Sequence, residues 1–140
     1  GLPMIHNGQE ACNADRLEFF EREPIVWNQN PDCRYGALLA DLIAFRDANP
    51  ALANGQWGAR MEQVVSDKPE QLFAFVREQD GNKVLALFNL SGEPVTATLR
   101  DGLAAGSYRE FGSGAEASFA AGDTVTLPAW GYRVLASGGE

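Results

Sequence analysis

Leu72-Phe73-Ala74-Phe75-Val76-Arg77-Glu78-Gln79-Asp80-Gly81-Asn82-Lys83-Val84-Leu85-Ala86-Leu87-Phe88-Asn89 is the stretch on which the fold turns. Two β-rich runs, Leu72 to Arg77 and Val84 to Asn89, flank Asp80-Gly81, a dipeptide that tolerates positive φ and so closes a tight hairpin. Working outward, the same two-residue period returns in Arg60 to Val65, Val95 to Leu99, Ser107 to Phe111, Thr124 to Leu127 and Tyr132 to Ala136. Breakers separate the runs: Asp67-Lys68-Pro69, Gly92-Glu93-Pro94, Asp101-Gly102, Gly112-Ser113-Gly114 and Gly122-Asp123. Short strands at even spacing predict a mainly β fold, an antiparallel Greek-key β-sandwich of roughly seven or eight strands between Trp57 and Ser137.

Upstream the period changes to that of a helix. Tyr35, Leu38, Leu39, Leu42, Ile43 and Arg46 share one stripe, Pro31-Asp32 suits a helix start, and Asn49-Pro50 stops it. The expected helix runs from Asp32 to Ala48 and has a wide apolar face to bury. Before it, Leu2-Pro3-Met4-Ile5 is too short for a helix and reads as one buried strand without a hairpin mate. The charged, aromatic stretch Arg16 to Trp27 reads as an irregular excursion.

Composition narrows the partners. With 140 residues, 45% of them hydrophobic, the chain can bury a core. Eleven basic against 19 acidic residues leave a net charge of −8, and the only lysines are Lys68 and Lys83. Binding to nucleic acid or to an anionic membrane needs a basic stripe, so neither is expected. No window approaches the roughly 20 apolar residues of a membrane span. The chain does not begin with Met and reads as a processed product or a piece of something longer.

Three segments carry a resemblance. Gly1-Leu2-Pro3-Met4-Ile5-His6-Asn7-Gly8-Gln9-Glu10 resembles the eighth barrel strand of the α-amylase superfamily of glycoside hydrolases, whose pattern is Gly-x-Pro-x-(Ile/Leu)-Tyr-x-Gly-Gln-Glu. Leu17-Glu18-Phe19-Phe20-Glu21-Arg22-Glu23-Pro24-Ile25-Val26-Trp27 is similar to the segment that follows it in bacterial members, and Tyr35 to Leu52 resembles the last barrel helix and its exit. Ala74-Phe75-Val76-Arg77, Val84 to Ser91 and Leu127-Pro128-Ala129-Trp130-Gly131-Tyr132-Arg133-Val134-Leu135 resemble the family's C-terminal domain. The resemblance implies that residues 1–52 are the last strand, excursion and last helix of a (β/α)8 catalytic barrel and that 53–140 are an all-β terminal domain.

It further implies a parent enzyme, an α-amylase-type glycosidase, that acts on α-glucans such as starch and maltooligosaccharides with retention. The superfamily's catalytic carboxylates stand at the ends of the fourth, fifth and seventh barrel strands, upstream of Gly1, so no catalytic residue is expected here and the chain alone would be inactive. Gln9 and Glu10 lie where barrel loops build sites and would line the substrate cleft or its surroundings. Glu18, Glu21 and Glu23 interleave with apolar residues as a solvated face would. His6, the only histidine, stands where the family has Tyr and reads as structural. Neither a metal nor a cofactor is expected; the family's calcium belongs to a domain inserted earlier in the barrel.

Cys12 and Cys33 flank the excursion, either as a disulfide or as two buried thiols. The disulfide is favoured, because the family requires Cys at neither place; it would suit a periplasmic or secreted bacterial enzyme. The expected partners are the rest of the barrel, α-glucan through the parent, and another copy through Leu2 to Ile5. A starch-binding β-sandwich module is the alternative. Trp130, Tyr132 and Val134 alternate onto one face, read here as the inward one, which favours packing over sugar binding. Trp57 sits in a turn and is the more exposable.

Overall fold

The computed structural model describes residues 3–27 and 30–138. It divides into two compact units, 1–45 and 46–140.

The second unit is the sandwich. Its strands are β1 (Glu62–Gln63), β2 (Leu72–Gln79), β3 (Asn82–Asn89), β4 (Val95–Thr98), β5 (Gly106–Glu110), β6 (Glu116–Phe119), β7 (Thr124–Leu127) and β8 (Tyr132–Ser137). They form a six-stranded sheet ordered β1-β2-β3-β8-β5-β6 and a two-stranded sheet of β4 and β7, with every pairing antiparallel. The chain passes to the small sheet at β4, returns for β5 and β6, crosses again at β7, and re-enters between β3 and β5 as β8. Asp80 (φ 51°) and Gly81 (φ 82°) make the two-residue turn of the β2–β3 hairpin, in the register Gln79 opposite Asn82. The hairpin is the one expected from Asp80-Gly81.

Alternation sorts each strand into two faces. Leu72, Ala74 and Val76 of β2, Leu85 and Leu87 of β3 and Leu135 of β8 meet Val95, Ala97, Val125 and Leu127 of the small sheet in one core, joined by Val64, Leu99, Ala104 and Tyr108. Threonines cover the small sheet's other side, with the hydroxyls of Thr96 and Thr126 2.9 Å apart. The run Arg60 to Val65 delivers only the short β1. After it Val64 donates to Ala74 (2.9 Å), Ser66 bridges to Leu99, and Asp67 donates to Thr98 (3.2 Å), so this segment leaves the large sheet to join the small one. Strand β6 was not expected. It has only Ala117 and Phe119 as apolar members, too few to mark a period.

A strap from residue 46 to 60 belongs to this unit, although the sequence reading groups residues up to 52 with the helix. Buried Asn82 accepts from the Ala51 N–H (3.1 Å) and donates to Asn49 Oδ1 (2.8 Å) and the Ser137 carbonyl (3.0 Å). Arg77 donates to the carbonyls of Ala59 (2.8 Å) and Ala53 (2.9 Å). Burial and the charge of Arg46 lower the Arg77 pKa. Gly58 is required where it stands, because a Cβ there would collide with the Ala53 carbonyl.

Helix α1 (Tyr35–Asp47) lies in the first unit up to Phe45, its last two residues counting with the second; it is shorter at its start than the expected Asp32 to Ala48 because Pro31 and Asp32 lie in a turn. No residue of α1 is buried, and Tyr35 and Ile43 are about half exposed, so its apolar stripe is not covered as expected. The strand expected over Leu2 to Ile5 is also corrected. Leu2 lies outside the described residues, and Pro3, Met4 and Ile5 form no strand and are exposed. A strand needs a neighbour for its backbone groups, and among the described residues these three have none.

Candidate functional site

Gln9 and Glu10 open a 3₁₀ turn, Gln9–Ala11, entered through Gly8 at φ 91° and left through Cys12 at φ 54°. The turn builds itself from local bonds. Gln9 Oε1 accepts from the His6 N–H (3.2 Å), Glu10 Oε2 accepts from the Gly8 N–H (3.1 Å), and the Gly8 carbonyl accepts from both Ala11 (3.1 Å) and Asn13 (3.0 Å). Positive φ makes glycine the suitable residue at position 8, and a Cβ there would press to 3.2 Å on that of Asn13. Both sequence-predicted side chains are therefore occupied in shaping the backbone. Gln9 also lines an open cleft of about 370 Å³ with His6, Asn7, Asn13, Asp15 and Tyr35. The carboxamides of this cleft suit hydrogen bonding to a polar, uncharged ligand.

Cys12 and Cys33 are joined by a disulfide with Cα atoms 5.7 Å apart. It ties the end of the 3₁₀ turn to the approach of α1 and closes the excursion between them. Within the excursion Phe19 and Phe20 meet edge to face (4.8 Å), yet each is 90% exposed, and Val26 and Trp27 are also exposed. Among the described residues no group of three His, Cys, Asp or Glu is placed to hold a metal ion. No described helix is long and apolar enough to cross a membrane.

On the second unit the chemistry lies on the face of the large sheet that turns away from its core. Phe73, Phe75, Phe88 and Tyr132 form an aromatic strip, with ring centroids 5.7 Å apart for Phe73 and Phe75, 6.2 Å for Phe75 and Phe88, and 6.4 Å for Phe88 and Tyr132. This corrects the inward reading of Trp130 and Tyr132. Tyr132 pairs with Phe88 and Val134 with Ala86, so the alternation holds but the face is the outer one. Arg133 shares the inner face with Leu135 because Glu110 takes its guanidinium at 2.8 and 3.1 Å and the Phe119 ring lies 5.5 Å from it. Trp130 precedes the strand, in a turn where alternation does not apply, at φ 56° and 68% exposed. Trp57 is exposed as expected. Tyr108 is a core residue whose hydroxyl donates to Ala104 (3.0 Å), and burial pushes its pKa up to about 12.

Residues 61–134 match the family model for the maltogenic amylase C-terminal domain. No curated protein matches the sequence significantly. Among solved structures, a noncanonic maltogenic alpha-amylase from Thermotoga neapolitana superposes with a TM-score of 0.77 at 17% identity, covering 97% of this chain and 33% of that one. AmyP in complex with maltose gives 0.62 at 18%, covering 78% and 22%. The F164L mutant of MutB, from crystals soaked with trehalulose, gives 0.53 at 26%, covering 77% and 18%. The first two are likenesses of fold. The chain spans about a third or less of the length of each of these proteins.

Proposed function

The chain belongs to the maltogenic amylase C-terminal domain family, and from that premise we propose that it is the terminal part of a glycoside hydrolase that cleaves or transfers α-glucosidic bonds with retention. On this reading the acid and nucleophile, about 5 Å apart in retaining enzymes, sit on barrel segments outside these 140 residues. The chain contributes Gln9 and Glu10 to the shape of the cleft and the sandwich to the stability of the whole, without turnover of its own. The eighth-strand pattern and the helix exit support a barrel origin for the first unit, and the disulfide supports an extracytoplasmic enzyme.

One observation carries the proposal: the first unit exposes Met4, Phe19, Phe20 and Trp27 while the second closes a core. Exposed apolar side chains of this size, with almost no core beneath them, fit a surface that a partner covers, and the rest of a barrel is the partner that the sequence pattern names. In its absence the same surface favours self-association. The test is twofold. The full product of the coding gene should release the α-anomer first from maltooligosaccharides, followed by proton NMR, and this chain alone should release no reducing sugar from starch. Release of the β-anomer first would refute retention. Turnover by the 140-residue chain that survives repurification and disappears in Glu10→Gln would refute the assignment of catalysis to other segments.

A further inference from the structure

Trp130 combines three features that packing does not explain. It is 68% exposed, so its large apolar side chain contributes little to the core. It adopts φ 56°, a conformation that bulky residues avoid and that persists only where the surroundings impose it. Those surroundings are built. Trp130 donates its N–H to Ser91 (3.0 Å), Asn89 donates its own N–H to Gly131 (2.8 Å), and the buried Asn89 carboxamide donates to the carbonyls of Pro128 and Glu93 (both 2.7 Å). Gly92 lies beside the indole, and a Cβ there would stand 3.9 Å from Nε1. The backbone that holds the ring is thus fixed by a buried clamp while the ring itself meets water. Two residues on, Tyr132 is half exposed and stacked on Phe88, so its phenol is also held.

We propose that Trp130, with Tyr132, is a surface binding site for an α-glucan chain. The choice of glucan rests on the reading of the family given above; the choice of a neutral polyol rests on this site alone. An exposed indole on a fixed backbone offers an apolar plane for the C–H face of a pyranose. Glu93, next to the Gly92 that borders the indole, and Tyr132, two residues along the chain, are both exposed and carry groups able to bond sugar hydroxyls. A net charge of −8 disfavours a polyanion.

Affinity electrophoresis of the 140-residue chain in gels containing soluble starch tests the site, with calorimetry against maltoheptaose for the dissociation constant. The wild type should be retarded, and Trp130→Gly should weaken binding at least tenfold. Because glycine adopts positive φ freely, Trp130→Gly should not lower the melting temperature, whereas a packing tryptophan could not be removed without loss. Trp130→Phe should keep part of the affinity and Tyr132→Ala should lose part of it. An unretarded wild type, undiminished retardation of Trp130→Gly, or a fall of more than about 5 °C in its melting temperature would each overturn the site. Retardation by a β-linked glucan and not by starch, still dependent on Trp130, would uphold the platform and refute the α-glucan reading.

Discussion

The two units of this chain obtain their order by different means. In the sandwich, Leu85, Leu87, Leu99 and Leu135 are fully buried and a single core joins both sheets. In the first unit, by contrast, Ala11 is the only buried hydrophobic residue among those described, and a disulfide and a self-bonded turn hold what structure there is. Burying a Phe is worth about 1.5–3 kcal/mol, and Phe19 and Phe20 forgo nearly all of it at 90% exposure. Among its described residues the first unit thus carries large apolar side chains without a core of its own to cover them. Secondary structure patterned for burial is no proof that the covering surface lies within the same 140 residues.

The comparison is tested most severely by truncating one apolar residue in each unit. Leu85→Ala should cost about 3–5 kcal/mol, read as a fall in the urea midpoint at constant slope. Phe20→Ala should cost no more than about 0.5 kcal/mol. Equal losses would show that the first unit does have a core. Next in size is reduction of the disulfide. Closing a loop of this size removes about 3 kcal/mol of chain entropy from the unfolded state, and the loss should be confined to the first unit. Helical circular dichroism and protease resistance between Asn13 and Asp32 should fall, while the sandwich keeps its midpoint. A sandwich that melts on reduction would show that the two units are energetically one.

Legibility in the sequence follows the same division. Asp80-Gly81 could be read because positive φ leaves few dipeptides to choose from, and the period of β2, β3 and β8 could be read because both faces are patterned. The assignment of β8's faces follows the apolar Val134 toward the core, whereas Val134 pairs with Ala86 on the outer face and the charged Arg133 takes the inner one. Only its ion pair with Glu110, 23 residues away, lets it share a face with Leu135. Trp130 misled for a related reason, since nothing local shows that Asn89 holds its turn in positive φ. Strand β6 carries too little apolar pattern to be seen. At the candidate cleft, which Gln9 lines and Glu10 does not, the bonds of these two side chains to the backbone of His6 and Gly8 depend on the φ of Gly8, which the sequence permits without requiring.

A smaller effect tests how far the sandwich extends. If the strap at 46–60 is part of its core and no mere tether, Asn82→Ala should destabilise by about 2 kcal/mol, because it strands the buried Ala51 N–H and removes a partner from Asn49. Hydrogen exchange should then accelerate at Ala51 ahead of the core strands. Global stability unchanged within about 0.3 kcal/mol would mark the strap as a peripheral segment.

The smallest effect reads the sandwich through a single proton. Tyr108 is 4% exposed, its hydroxyl donates to Ala104, and burial raises its pKa from 10.0 to about 12. The folded state therefore holds the phenolic proton more tightly than the unfolded chain does. For a group whose pKa rises on folding, the contribution is complete below the unfolded value and is lost as pH climbs through the folded one. Stability should be flat with respect to this group up to about pH 9 and fall by about 1–2 kcal/mol between pH 10 and 12. Tyr108→Phe removes the ionisation and also the bond to Ala104. The variant should be less stable than wild type by about 1 kcal/mol at neutral pH and should lose less on going to pH 12. Urea midpoints at pH 8, 10 and 11.5 measure both arms, and parallel curves for the two proteins would show that Tyr108 ionises as freely in the fold as outside it.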